Sequence, residues 1–253
     1  IKEKMEKKEK RYKQFIGLWI FHSPTFNKEL FMKITDGQKI AVFEPMFKKF
    51  ETEEILEYFK EVITKIPDAI FYKPASSSGK YHNKQQIGNY GQLIHIYMFF
   101  DILNMFLDLE YNQNKYPDPI DRDLMRCVPA LHDMCKYGIA GKMKHTTGEH
   151  PLLARQKLIQ INQDKKTIHP LKELYLQVLC EMCERHSGQW NTYKMNSYSW
   201  DTTPKIGTME KPEDDMDMLI HECDMLASRN WLTYEIPEDL MQRFKDNIDI
   251  TSI

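Results

Sequence analysis

The sequence predicts an all-α helical bundle behind a small α/β N-terminal element, and three observations lead there. Beyond Gln92, apolar residues recur at helical spacing almost to the end of the chain. Proline and glycine breaks, at Pro117 and Pro119, Gly138 and Gly141, and Pro204 and Gly207, cut that pattern into separate helices. Only between Trp19 and Phe47 do aromatic and β-branched residues gather around a turn signal, Asp36-Gly37, which predicts a short hairpin or small β element.

Taken in chain order, the opening IKEKMEKKEKRYK is a charged lead-in, a solvated helix or frayed tail. After the hairpin segment, Glu51 to Ile66 places Ile55, Leu56, Phe59, Val62 and Ile63 on one helical face. The stretch from Pro67 to Gly91 is rich in Ser, Gly, Lys and Asn and reads as a polar loop. Helices are then expected over Gln92 to about Tyr111, Asp121 to Tyr137, Pro151 to about Ile161, Leu171 to His186, Asp214 to Arg229 and Glu238 to about Asn247. In the first of these, Tyr97, Met98, Phe100, Met105 and Phe106 are read as core. The organisation expected is an appendage over residues 1–80 and a helical metal-binding domain over residues 81–253.

Composition excludes more than it identifies. Of the 253 residues, 42% are hydrophobic and 28% charged, which is incompatible with a disordered or fibrous chain. A net charge of -2 offers no basic excess for non-specific nucleic-acid binding. No run approaches the roughly 18 apolar residues of a membrane span, and no signal-peptide core is present, so a cytoplasmic protein without a membrane partner is expected. The five cysteines, Cys127, Cys135, Cys180, Cys183 and Cys223, lie in apolar helical stretches and read as buried free thiols. Cys180 and Cys183 form a C-x-x-C, but no second pair stands at zinc-ribbon spacing.

The residues that carry chemistry form an ordered set: His95 in GQLIHIYMFFDIL, His132 and Asp133 in ALHDMCKYG, His150 in GEHPLLARQ, His186 in CERHSGQW and Asp224 in HECDMLASR. Imidazole and carboxylate together suit two divalent transition-metal ions, Mn, Fe, Co, Ni or Zn, better than calcium. Neighbouring residues on a helix project about 100 degrees apart, so His132 can serve one metal while Asp133 bridges two. Each residue also has a plainer reading. His150 and His186 stand at helix ends, where a cationic ring at the C-terminus complements the dipole, and Lys136 is equally a helix C-terminal cation. His145, His221 and Arg229 read as surface groups.

This pattern resembles the HD-domain superfamily of metal-dependent phosphohydrolases over residues 82 to 230. HDMCKYG is similar to the family's HD-x-x-K turn, GNYGQLIHI to its glycine-rich entry into the first ligand helix, and DMLASR to the helix with the last Asp. Two features depart from it: Arg185 and Ser187 flank His186 where the family often doubles the histidine, and His82 stands near the expected site mouth. The resemblance implies an HD-domain helical bundle holding a binuclear metal centre on His95, His132, Asp133, His150, His186 and Asp224. It implies phosphohydrolase or phosphodiesterase chemistry by a metal-activated water, with Asp133 and Lys136 as catalytic groups. The substrate implied is a nucleotide, a cyclic nucleotide or an oligonucleotide end, with Lys73, Lys80, Lys84, Tyr81 and Tyr90 in the preceding loop as phosphate and base contacts. A di-iron oxygenase on the same scaffold, or a nucleotide-binding module without catalysis, are the alternative readings. A homo-oligomer is left open.

Overall fold

A computed structural model of the chain describes residues 32–76, 79, 82–188 and 210–250. Regular structure among them is helical throughout, with no strand. The helices are α1 (Asp36–Phe47), α2 (Glu53–Lys65), α3 (Gly91–Leu107), α4 (Glu110–Lys115), α5 (Pro119–Leu131), α6 (His150–Gln163), α7 (Glu173–Arg185), α8 (Asp215–Ala227) and α9 (Glu238–Asn247). No helix among the described residues is long and apolar enough to cross a membrane.

The hairpin expected around Asp36-Gly37 is corrected where it can be seen. Thr35 and Gln38 form a capping box: Thr35 Oγ1 accepts from the Gln38 N–H, and Gln38 Oε1 accepts from the Thr35 N–H at 2.9 Å. Asp36 and Gly37 therefore open α1 rather than turn a hairpin. Residues 19–31 of that segment, and the charged lead-in, lie outside the described residues. Lys39 ties α1 to the end of α2, donating to Ile66 O at 2.6 Å and pairing with Asp68 at 2.7 Å.

One hydrophobic core runs from Ile34 to Ile248, and it crosses the boundary expected at 80/81. Ile55, Tyr58, Phe59, Val62 and Ile63 of α2 are buried in it. The described residues fall in one compact unit, Met32–Ile253. At its centre, α3 is apolar on nearly every side, as a helix enclosed by others must be. It packs on α5 and α8; α5 packs on α7, and α7 on α6 and α8. Tyr97, Met98 and Phe100 are core and Phe106 packs against it, but Met105 is 71% exposed, a correction to the expected stripe.

The start of α3 depends on a close approach. A Cβ on Gly91 would lie 2.1 Å from Gln86 O, and that carbonyl is held by the Ala75 N–H at 2.8 Å. Gly91→Ala is expected to destabilise the fold by about 1–3 kcal/mol, since backbone has to move to admit the methyl group. A thermal melt unchanged from the parent would refute this.

Candidate metal centre

The six expected ligands converge from five places in the bundle. His95 lies in the second turn of α3, with 1% exposure. His132 is the residue at which α5 ends, a correction to the helix expected to run through Tyr137. Beyond it the chain turns through three-residue bonds, from Met134 N–H to Leu131 O, Lys136 N–H to Asp133 O and Gly138 N–H to Cys135 O. His150 is the first residue of α6, His186 ends α7, and Asp224 lies in the second half of α8.

Asp133, 1% exposed, stands between two groups. Its Oδ2 faces His132 Nε2 at 3.3 Å and His95 Nε2 at 4.0 Å, and Asp224 Oδ1 completes that side at 3.1 Å from His95 Nε2 and 3.7 Å from His132 Nε2. Its Oδ1 faces His150 Nε2 at 2.9 Å and His186 Nε2 at 3.9 Å. The inward atoms of His95, His132 and Asp224, and those of His132, Asp133 and His186, are each close enough together to share one ion.

The histidines are aimed by the backbone. His132 Nδ1 lies 3.1 Å from Val128 O, His150 Nδ1 2.7 Å from Thr147 O, and His186 Nδ1 2.7 Å from Cys183 O. A carbonyl only accepts, so each of these nitrogens carries its proton and Nε2 turns inward. His150 Nε2 and His186 Nε2 then lie 3.3 Å apart, and His95 and His132 Nε2 3.4 Å apart. Close approach of ring nitrogens and carboxylate oxygens in a buried space calls for a cation. Asp133 Oδ1 states the same need: it is buried and no hydrogen bond is aligned on it, although His150 is 2.9 Å away. By donor type and by this unsatisfied oxygen, the residues fit two divalent transition ions.

Electrostatics favour the charge states such ions require at Asp133, Asp224, His95 and His186. Burial opposes charge on Asp133, yet Lys136, His132 and His150 hold its carboxyl well below the usual range. Asp224 is held low in the same way, against its burial, by the hydrogen bond from His95 and the charge of His132. Burial pushes His186 down to about 3 and lowers His95, leaving both neutral at pH 7. His132 runs the other way, because Asp133 beside it outweighs burial.

Lys136 makes an ion pair with Asp133 Oδ2. His82 packs its ring edge-on to His95 at 5.2 Å, its Nδ1 held by Gln86 Oε1 at 2.7 Å. The other loop contacts fare differently. Tyr90 is 5% exposed, with its hydroxyl donating to Ile248 O, so it is core rather than a base platform. Lys73 donates to Met143 O and lies over the Tyr137 ring, Lys84 is exposed, and Lys80 and Tyr81 fall outside the described residues. His221, read as a surface group, instead donates from Nδ1 to His186 O at 2.8 Å and packs on Gly188, whose φ of +57° and missing Cβ make room for it. All five cysteines are buried and free, Cys180 and Cys183 within α7. Gln92, which the sequence reading passed over, donates from Nε2 to Asp133 Oδ2 at 3.1 Å.

Fold and site together define a helical protein with a buried histidine and aspartate cluster able to hold metal. Compared with known proteins, the chain matches no family model, no curated protein and no solved structure.

Proposed function

We propose that the protein is a metal-dependent phosphohydrolase of the HD type, cleaving a phosphoester of a nucleotide or oligonucleotide. The observation that carries the reading is the division of one buried carboxylate, Asp133, between two histidine groups, with His132 and Asp224 on one side and His150 and His186 on the other. Ions of the Mn, Fe, Co, Ni or Zn class, when held there, supply acidity to a water and neutralise charge on phosphoryl oxygens.

The chain's own groups have defined tasks in this reading. His95, His132 and Asp224 bind on one side and His150 and His186 on the other, with His95 and His186 kept neutral by burial. Asp133 links the two. Lys136 keeps Asp133 ionised and carries a positive charge beside the site, where it meets the phosphate of a substrate. His95, His132, Asp133, His150 and His186 are buried, which strengthens the charge interactions among them.

The test is direct. Protein loaded with manganese, cobalt or nickel, incubated without oxygen with dNTPs, cyclic dinucleotides and short single strands, is expected to yield hydrolysed products by mass. Turnover confined to the iron-loaded protein and requiring oxygen would replace this reading by the oxygenase one.

A further inference from the structure

Gln92 is fully buried in the first turn of α3, in a helix otherwise apolar around it. It lies three residues before His95, so the two side chains share a helix face. Asp133 Oδ2 only accepts, so the group 3.1 Å from it is the amide N–H of Gln92. The amide oxygen, Oε1, is buried with no hydrogen-bond partner. A glutamine kept in such a place, with half of its amide unsatisfied, is poorly explained by stability, because burying an unpaired polar atom costs free energy. Its N–H contact is what remains to account for it.

That contact has a consequence for Asp133. Two donors, Gln92 Nε2 and Lys136 Nζ, are fixed on Oδ2, and none is aligned on Oδ1. The carboxylate is thereby locked against rotation, with Oδ1 kept bare toward His150 and His186. The side of His150 and His186 has only two imidazoles besides this one oxygen. The other side has His95, His132 and the separate carboxylate of Asp224.

We propose that Gln92 is a positioning residue that turns Asp133 Oδ1 toward His150 and His186 and so determines whether the second, weaker metal position fills. The proposal rests on the two-metal reading of the cluster. It makes loading sequential, the position of His95, His132 and Asp224 first, and it makes Gln92 a determinant of the second step alone.

The experiment is calorimetric titration of metal-stripped protein with Mn(II), alongside electron paramagnetic resonance for the spin-coupled manganese pair. The parent is expected to bind two ions in two steps and to show the coupled signal. Gln92→Met keeps the length and loses the donor; its second step is expected to weaken tenfold or more, with the first within about twofold and the coupled signal lost. Gln92→Leu also removes the donor, and the variant scored is one retaining the parent's helical dichroism and melting temperature. Two unaltered steps in that variant would overturn the role of Gln92 and leave the metal centre standing. A parent that binds no manganese would overturn both.

Discussion

Asp133→Ala is expected to remove metal from both positions and to lower phosphoester hydrolysis by about 1,000-fold or more, a loss equivalent to the several kcal/mol that bound ions contribute to such a step. The size of the effect follows from the sharing. His150→Ala strips one imidazole from one side, and Asp224→Ala one carboxylate from the other, whereas Asp133 gives Oδ2 to the first group and Oδ1 to the second. Metal content by mass spectrometry and turnover on the nucleotide panel should therefore fall together. A thermal melt gives an independent measure: the parent should gain about 2.7 kcal/mol at a metal concentration one hundred times the dissociation constant, and Asp133→Ala nothing. Unchanged turnover in Asp133→Ala would remove the carboxylate from the chemistry. Metal binding without turnover of any nucleotide by the parent would favour the binding module.

Much of the cluster is legible in the chain because histidines and aspartates of this kind are few among the apolar helices. His95, His132, Asp133, His150, His186 and Asp224 stand out in the sequence, and the structure brings all six side chains together. The errors have local physical causes. Asp36-Gly37 reads as a hairpin turn in isolation, but Thr35 and Gln38 around it satisfy the first N–H groups of a helix and decide the matter. The pair His132-Asp133 was expected inside a helix; the chain leaves the helix there, so the placement of Asp133 rests on turn bonds that periodicity does not report. Tyr90 looked like a loop aromatic because its partner, the Ile248 carbonyl, lies 158 residues away. Gln92 gives one signal, an amide in an apolar helix one turn before His95. Its meaning depends on a carboxylate 41 residues further on.

The second large effect is expected in stability rather than chemistry, within the helix that delivers His132. Arg126 in α5 is buried, donating from Nη1 to Glu51 at 2.6 Å and to Asp123 at 2.8 Å, and from Nε to Asn104 at 3.0 Å. Asp123 is fully buried, and it also accepts from the Glu51 and Thr52 N–H groups at the entry to α2, where Thr52 makes no cap of its own. Arg126→Met leaves that carboxylate without its cation, and breaking a buried pair in this way costs about 3–5 kcal/mol. For a chain of this size the melting temperature should drop by roughly 10 °C or more. Glu51 adds a pH signature: hydrogen bonds from Arg122 and Arg126, against its partial burial, bring its carboxyl from 4.5 to about 2. A depressed folded-state value means that its contribution is present above pH 4.5 and is lost as the pH falls toward 2. Glu51→Gln should thus melt below the parent at pH 6, with the gap narrowing below pH 4.5 and closing only as the pH falls to about 2. Both variants should still titrate manganese as the parent does at temperatures where they are folded, since neither side chain touches the cluster. A fall in metal stoichiometry in the folded Arg126→Met protein would instead show that α5 transmits its entry geometry to His132.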